Sequence, residues 1–282
     1  MVVDAHHHFW DPALADYPFL TDELEAIRRR FGPQDLEPDL RAAGIDATVL
    51  VQTLSSREES RRFLATAAEV GWVTGVVAWV DLTSPAVGDE LSALCEAPGG
   101  ERLVGIRHQV HDEPDAEWLL RPDVDRGLRA VAAAGLAYDL LLRPRELPAG
   151  LEVARRHPEL RLVIDHLAKP EIRAGRLSPW QERMAPFAEL EHVSCKLSGM
   201  VTEADWDGWR VDQLAPYVER ALGWFGPRRL IFGSDWPVCL VAARYREVKE
   251  ALEELLAGLE PDARERVFGR NAAALYGLAE LR

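Results

Sequence analysis

Short apolar runs alternate with amphipathic helical patterns along nearly the whole of this 282-residue chain. The apolar runs are close to continuous, which is typical of parallel strands that are buried on both faces. The chain contains eight of them, at Val2–His8, Ala47–Gln52, Val73–Val80, Leu103–His108, Leu136–Leu142, Arg161–His166, His192–Leu197 and Arg229–Gly233. Eight strand–helix units in succession favour a (β/α)8 barrel, and such barrels reach this length as one domain. We therefore predict an α/β fold, a TIM barrel, that occupies residues 1–282 as a single domain.

The helical patterns follow the strands in the order that a barrel requires. They cover Asp35–Ala43, Arg57–Val70, Pro85–Leu94, Pro122–Ala134, Leu147–His157, Ser178–Leu190, Val211–Phe225, Ala242–Leu256, Pro261–Phe268 and Asn271–Tyr276. In the tail, Gly269 is predicted to end one helix and Asn271 to cap the next. A doubly wound sheet is the alternative fold, but no G-x-G-x-x-G turn follows any predicted strand. The long connection Phe9–Pro33 is predicted to cover the site, because long loops at the rim of a barrel usually form lids or substrate walls.

The overall charge and the cysteine count restrict the partners and the setting of the protein. The formal net charge is −14 and the pI is near 5.1, which disfavours a nucleic-acid or anionic-membrane surface. No apolar run approaches the roughly 18 residues that a membrane span needs. The three cysteines are odd in number and widely spaced, so they do not form a disulfide framework. We predict a cytoplasmic enzyme with a small-molecule partner, and the sequence also allows a homo-oligomer.

Polar residues collect at the C-terminal ends of the predicted strands, where the active sites of barrels are built. Each of these residues alone is equally compatible with a salt bridge at the rim, but a polar group at every strand end favours a functional site. The residues predicted to bind substrate are Gln52, Trp79, Arg107, His108, Asp139, Lys196 and Trp236. Arg107 and Lys196 are also candidates to stabilise a developing oxyanion.

Four of the strand-end residues form a possible ligand set for a divalent ion. Alternate residues of a strand share a face, so His6 and His8 are predicted to point the same way, together with Asp4. Asp4 either orients an imidazole or belongs to a buried structural network. His166 and Asp235 follow the sixth and eighth strands, and three imidazoles with a carboxylate suit zinc. We therefore predict one divalent ion, with zinc as the first candidate; the alternative is a cluster of histidines that only form hydrogen bonds.

Four blocks of sequence carry a resemblance to a known family. They are Asp4-Ala5-His6-His7-His8-Phe9-Trp10-Asp11, Ile164-Asp165-His166-Leu167-Ala168-Lys169-Pro170, Lys196-Leu197-Ser198-Gly199 and Phe232-Gly233-Ser234-Asp235-Trp236-Pro237. In this order the chain resembles the amidohydrolase-related (amidohydrolase 2) family, and within it the sugar-acid lactonases, the group of L-fuconolactonase, L-rhamnonolactonase and 2-pyrone-4,6-dicarboxylate lactonase. The resemblance implies a (β/α)8 barrel of amidohydrolase type whose ligand residues correspond to His6, His8, His166 and Asp235. It also implies one ion rather than two, because the fourth strand ends in Arg107-His108 and offers no lysine for carbamylation.

The resemblance implies a hydrolase that opens the lactone of a sugar acid by attack of an activated water. Asp235 is then the general base, and His166 and Arg107 are the other catalytic groups. Some members of this branch do not need a metal, and without one the imidazoles and Arg107 would polarise the carbonyl. The first alternative function is a metal-dependent decarboxylase of the same barrel family, acting on an unsaturated carboxylic acid. A non-catalytic barrel is disfavoured because none of the four core groups is missing.

Overall fold

The computed structural model describes residues 1–278, and its eight strands form one parallel sheet in the order of the chain. The strands are β1 (Val3–His7), β2 (Ala47–Val51), β3 (Val73–Ala78), β4 (Leu103–His108), β5 (Ala137–Leu140), β6 (Leu162–Ile164), β7 (Val193–Leu197) and β8 (Leu230–Phe232). Each lies within two residues of the predicted bounds. All eight are almost entirely buried, as expected for strands covered on both faces.

The last strand returns to the first. A parallel bridge joins His7 and Trp236 just beyond β8, and the His8 amide donates to the Trp236 carbonyl at 2.7 Å. The Asp235 amide donates to the His6 carbonyl at 2.8 Å. The predicted (β/α)8 barrel is therefore confirmed, and these two hydrogen bonds hold residues of two predicted site blocks against each other.

The helices lie between the strands and after the last one. They are α1 (Pro33–Ala43), α2 (Arg57–Glu69), α3 (Val87–Cys95), α4 (Pro122–Ala133), α5 (Leu147–Arg156), α6 (Trp180–Met184), α7 (Met200–Glu203), α8 (Val211–Phe225), α9 (Tyr245–Leu255), α10 (Pro261–Glu265) and α11 (Asn271–Tyr276). Their ends follow local rules: Ser56 accepts a hydrogen bond from the Glu59 amide at the start of α2, and Gly44 ends α1 in the left-handed region. The predicted helix Ser178–Leu190 is split into α6 and a 3-10 turn, and the short α7 was not predicted. Among residues 1–278, no helix has the length and apolar character needed to cross a bilayer.

The predicted interruption of the tail at Gly269 is wrong. A π-helical turn, Arg266–Arg270, connects α10 directly to α11. A Cβ at Gly269 would lie 2.0 Å from the Met1 carbonyl oxygen, so glycine is needed for close packing against the N-terminus. Asn271 does not cap a helix; its side-chain amide donates to the carbonyls of Pro227 and Leu230 at 2.8 and 2.7 Å. The tail is therefore tied to the start of β8.

Helix α11 covers the end of the barrel at which the strands begin. Its residues Ala272, Leu275 and Tyr276 pack in one apolar cluster with residues from inside the barrel. Those partners include Val3, Ala5, Ala47, Val49, Val51, Val77, Ala137, Val163 and Ile231. The opposite end, at which the strands finish, is left for the polar residues.

The predicted alignment of Asp4 with His6 on one face of β1 is wrong. The pairing of β1 with β2 shifts register between Asp4 and His7. Asp4 accepts hydrogen bonds from the Ser234 hydroxyl (2.6 Å) and from the Tyr245 hydroxyl of α9 (3.0 Å), whereas His6 faces Lys196 inside the barrel. Such an irregularity changes which residues share a face. Asp4 therefore belongs to a structural network between the barrel and its helices.

The connection Phe9–Pro33 is the long segment over the site that the sequence predicts. Within it, Asp22–Ile27 forms a 3-10 turn, and Trp10 pairs with Phe31 in a short antiparallel bridge. The Trp10 indole donates to the Ile27 carbonyl at 3.1 Å. These contacts hold the indole at the mouth of the barrel.

Candidate active site

Three imidazoles converge on one carboxylate at the C-terminal end of the barrel. The distances to Asp235 Oδ1 are 3.9 Å from His6 Nε2, 3.4 Å from His8 Nε2 and 3.9 Å from His166 Nε2. His6 Nε2 and His8 Nε2 are 3.2 Å apart. All four side chains are buried. The structure thus brings together the four residues predicted as metal ligands.

The other nitrogen of each ring has a partner that orients it. His8 Nδ1 donates a hydrogen bond to the Val51 carbonyl at 2.7 Å, which leaves Nε2 as the nitrogen that faces the site. His166 Nδ1 lies 2.8 Å from the Ser198 hydroxyl. Partners of this kind fix the direction in which a ligand histidine presents its second nitrogen.

The backbone is unusual where the site residues leave the sheet. The four residues His166–Lys169 have φ between 50° and 55°, and Asp235 has φ 57°. The left-handed region costs about 1–2 kcal/mol for a residue with a side chain, and such conformations cluster at functional sites. The second and fourth of the sequence blocks therefore contain strained turns, and these turns direct His166 and Asp235 toward the same point.

Two glycines make room for the imidazoles. A Cβ at Gly199 would lie 2.7 Å from His166 Nδ1, and a Cβ at Gly233 would lie 2.7 Å from His6 Cβ. Real contacts of a Cβ are longer than this, so a side chain at either position would displace its histidine. This close packing explains why the sequence blocks that contain Ser198-Gly199 and Gly233-Ser234 have a glycine at these two positions.

Arg107 reaches the site from β4. Its Nη1 lies 3.2 Å from His6 Nε2 and 3.0 Å from Asp165 Oδ2, and its Nη2 donates to the Gln52 carbonyl. The side chain is buried but lines the cavity described below. The guanidinium is therefore fixed beside the imidazoles, with one face toward the space in which a ligand would sit.

A group of buried charges lies beneath these residues. Lys196 Nζ is 2.6 Å from Asp139 Oδ2, 3.0 Å from Asp165 Oδ1 and 3.1 Å from His6 Nδ1. Asp139 also accepts hydrogen bonds from the Tyr276 hydroxyl of α11. Lys196, Asp139 and Asp165 are all inaccessible to solvent.

The site opens to solvent through a cavity of about 230 Å³. Of the predicted site residues, His8, Arg107, His166 and Asp235 line it. The wall also contains three residues to which the sequence draws attention: Trp10 and Phe19, aromatic residues of the long connection Phe9–Pro33, and His111, which follows the fourth strand. Residues that the sequence did not single out complete the wall: Thr53, Gln109, Asp112, Leu141, Arg143, Lys169 and Val238. Most of these lie on the loops that follow the strands, and that position was the only available signal for them.

The remaining predicted substrate-binding residues lie outside the cavity lining. Gln52, Asp139 and Lys196 are fully buried below it, and Trp236 is buried between β8 and the rings of Phe9 and Phe31. Trp79 and His108 lie to one side, where the indole of Trp79 donates to His108 Nδ1 at 3.0 Å. His108 also stacks on Trp118 at 4.2 Å and contacts Glu113 at 2.7 Å. The polar groups of Trp79 and His108 therefore bond to other protein groups and do not face the cavity.

The local environment sets the charge states of the site. Burial lowers the pKa of His166 to about 4, so this imidazole is neutral near pH 7. Burial opposes ionisation of Asp235, but His166, His8 and Lys169 outweigh it and hold the pKa of Asp235 below its ordinary value. A neutral imidazole and an ionised carboxylate are the forms that bind a metal and that accept a proton.

The residues present fit a divalent ion. Ligand atoms at 2.0–2.1 Å from a tetrahedral zinc ion lie about 3.4 Å from one another, and the distances among His6 Nε2, His8 Nε2 and Asp235 Oδ1 are 3.2, 3.4 and 3.9 Å. These three residues, and likewise His6 with Asp165 and His166, are close enough to share one ion. Imidazole and carboxylate are ordinary zinc ligands.

An eight-stranded parallel barrel with three histidines and an aspartate at its C-terminal end defines a TIM-barrel protein of amidohydrolase type. The profile of the amidohydrolase family matches residues 3–278, and the chain belongs to this family. It is 42% identical to an L-fucono-1,5-lactonase of Burkholderia ambifaria over 97% of this chain and 94% of that protein. It is 36% identical to an L-fucono-1,5-lactonase of Burkholderia multivorans over 99% of this chain and 96% of that protein.

A crystal structure of an amidohydrolase from Burkholderia multivorans with bound zinc has the same fold. It superimposes with a TM-score of 0.94 at 36% identity, covering 99% of this chain and 100% of that chain. The predicted family is therefore confirmed, and with it the amidohydrolase type of the barrel.

Proposed function

We propose that this protein is a hydrolase that opens the lactone of a sugar acid. The observation that carries the proposal is the convergence of His6, His8 and His166 on Asp235 at the base of a small cavity, in a chain closely similar to proteins named L-fucono-1,5-lactonase. A cavity of about 230 Å³ suits a small, compact substrate.

We further propose one zinc ion as the cofactor, held by His6, His8, His166 and Asp235. The distances among His6, His8 and Asp235 and the zinc-bound relative support this assignment, and His166 Nε2 lies 3.9 Å from Asp235 Oδ1 on the same centre. A bound zinc ion lowers the pKa of water toward about 7 and polarises a carbonyl. The protein's own part is to keep the imidazoles of His6 and His166 neutral by burial and to turn each ring correctly, through contacts such as that of His8 Nδ1 with the Val51 carbonyl.

Asp235 is the general base of the proposed reaction. It accepts a proton from the attacking water, whose oxygen bonds to the lactone carbonyl carbon. When the ring C–O bond breaks, Asp235 returns the proton to the ring oxygen, and the product is the open hydroxy acid. Arg107, which lines the cavity, is the residue that stabilises the oxyanion and then the product carboxylate.

The cavity wall offers two kinds of contact to such a substrate. Hydroxyl groups meet Thr53, Gln109, His111 and Lys169, while Trp10 presents an apolar ring of the kind that sugars stack on. We therefore propose these residues as substrate ligands in preference to the deeper set that the sequence suggested. The deeper residues support the site from below.

The test is acid release from a panel of sugar-acid lactones, with L-fucono-1,5-lactone as the first member, followed with a pH indicator. We expect turnover well above the spontaneous rate, and the Asp235→Asn variant should lose at least a hundredfold of it, since general-base catalysis contributes about 10²–10⁴-fold. Asp205→Asn, at a half-exposed carboxylate after α7, is the matched control and should retain full activity.

Two outcomes would contradict the proposal. One is acid release by the wild type no faster than by Asp235→Asn. The other is release of carbon dioxide from unsaturated carboxylic acids without lactone turnover, which would instead support the decarboxylase alternative.

A further inference from the structure

The ammonium group of Lys196 is buried below the cavity, and Lys196 does not belong to the cavity wall. Removing a charge from water costs several kcal/mol unless close partners compensate for it. Asp139 and Asp165, at 2.6 and 3.0 Å, provide that compensation. The remaining close contact of the ammonium is with His6 Nδ1 at 3.1 Å. Contact with substrate therefore does not account for this lysine, whereas its position beside Asp165 and His6 does.

The charges around Lys196 are balanced. Asp165 Oδ2 also pairs with Arg107 at 3.0 Å, so two carboxylates face two cations, and these four residues come from β4, β5, β7 and the end of β6. Close pairing of opposite charges offsets the cost of burying them, and an unpaired charge at this depth would be strongly destabilising. The cluster therefore forms a fixed platform across the barrel interior.

The C-terminal helix supports this platform from the opposite end of the barrel. The Tyr276 hydroxyl of α11 lies 2.8 Å from Asp139 Oδ2 and 3.0 Å from Asp139 Oδ1. The Tyr276 ring also lies below Lys196, with its centroid 5.4 Å from Nζ. A continuous chain of contacts thus runs from α11 through Asp139 and Lys196 to His6.

Lys196 and Asp165 meet the His6 ring at Nδ1, at 3.1 and 3.4 Å. Nε2, on the other side of the ring, faces His8, Asp235 and the guanidinium of Arg107. A histidine that offers Nε2 to a metal carries its proton on Nδ1, and an acceptor at Nδ1 fixes the direction of the ring. Asp165 Oδ1, which Lys196 holds at 3.0 Å, is the acceptor on this side of His6. The orientation of His6 is therefore set from below, by residues that never reach the substrate.

We propose that Lys196 is a positioning residue: clamped by Asp139 and braced by Tyr276, it holds Asp165 against Nδ1 of His6, so that Nδ1 donates its proton to Asp165 and Nε2 is directed at the centre shared with His8 and Asp235. This inference rests on the proposed zinc site. It assigns to Lys196 and Asp139 the support of a metal ligand, and it gives α11 a role in the active site.

The experiment compares zinc affinity, by competition with a chromogenic chelator, and the visible spectrum of the cobalt-loaded full-length protein. Lys196→Met is expected to weaken zinc binding about 10–100-fold and to change the cobalt bands, because the ligand geometry is altered. Tyr276→Phe removes one hydroxyl and should give a smaller loss in the same direction.

Two variants separate positioning from a general effect on stability. Lys196→Met alone leaves the two carboxylates with one cation, so the double variant Asp139→Asn/Lys196→Met, which removes one charge of each sign, keeps the test valid if the single variant does not fold. Tyr217→Phe is the matched control, since its hydroxyl bonds to the Arg176 carbonyl away from the site; its zinc affinity and cobalt spectrum should equal those of the wild type.

A folded double variant with wild-type zinc affinity and cobalt spectrum would overturn the proposal, as would a wild type that binds neither ion. Lost affinity in the double variant, with Tyr217→Phe unchanged, would support it. A wild type that binds zinc but opens no lactone would contradict the proposed function alone, because the metal measurements would still decide the role of Lys196.

Discussion

At the scale of single residues, the site depends as much on two glycines, which have no side chain, as on its histidines. Gly199, with φ +63°, stands against the ring of His166, and Gly233 stands against the Cβ of His6. His166 itself occupies the left-handed region at φ 52°. The imidazole is thus held between a strained backbone and a glycine that leaves it just enough room.

We expect Gly199→Ala to reduce kcat/KM about a hundredfold, because a displacement of about 1 Å in a catalytic group has an effect of this size. The added Cβ would lie 2.7 Å from His166 Nδ1, the atom that contacts Ser198. Steady-state kinetics on a lactone is the measurement. Gly223→Ala, in the last turn of α8 with nothing within 4 Å of the added Cβ, is the control: it should retain activity and gain at most about 0.5–1 kcal/mol of stability. Equal activity of the two variants would contradict the packing argument.

At the scale of elements, the connection between β1 and α1 does what its length and aromatic content predict. Trp10 is held by the Ile27 carbonyl and by edge-to-face contacts with Phe19 and Phe31, at centroid distances of 5.4 and 5.6 Å. Trp10 and Phe19 both line the cavity. The connection therefore forms an apolar wall opposite the imidazoles and supplies no reacting group.

Phe19→Ala should accordingly raise KM about fivefold with kcat almost unchanged, since an aromatic contact contributes about 1 kcal/mol and a uniform loss of binding affects KM alone. Leu14→Ala, at a position 63% exposed on the same connection, should leave both constants unchanged. A fall in kcat for Phe19→Ala with KM unchanged would mean that the wall acts on the transition state instead.

At the scale of the whole molecule, the barrel stabilises an unusual number of buried ionisable groups. Burial lowers the pKa of His6 and of His7 well below the ordinary value, and that of His166 to about 4. Burial also raises the pKa of Asp139 to about 6. The free energy of unfolding therefore depends on pH through several groups of opposite sign, and single variants are needed to separate them.

His111 offers such a separation, because it lies on the cavity wall and contacts Asp112 at 3.2 Å rather than a predicted metal ligand. Burial, aided by Lys169 and Arg143, lowers the pKa of His111 to about 3. Below the ordinary histidine pKa of about 6.5, the unfolded chain binds a proton at His111 and the folded protein does not. The contribution of His111 to the free energy of unfolding is therefore complete above that pH and is lost as the pH falls. His111→Gln should reduce the acid-induced loss of stability between pH 7 and pH 5 by up to about 2 kcal/mol. Urea unfolding of both proteins at the two pH values is the measurement, and parallel losses would contradict it.

The sequence alone determined the barrel and the four residues at its centre. Continuous apolar runs and strand-end positions are local properties of the chain, so they predict both the eight strands and the set His6, His8, His166 and Asp235. The same reasoning was wrong for Asp4 and for the tail. A register shift in β1 and a close approach of Gly269 to Met1 both depend on a second segment that is distant in sequence.

Only the tertiary structure decided which polar strand-end residues face the cavity and which lie beneath it. Strands of a barrel are staggered, and each residue advances about 3.3 Å along its strand, so the sequence does not show how deep a given strand end lies. Arg107 and Asp139 are register partners on β4 and β5, yet the first lines the cavity and the second is bonded to the C-terminal helix. Lys196 is placed in the same way by its partners, and those partners come from β5, the end of β6 and α11. Depth in the barrel is a property of several strands together, and this is why local pattern could locate the site but not its layers.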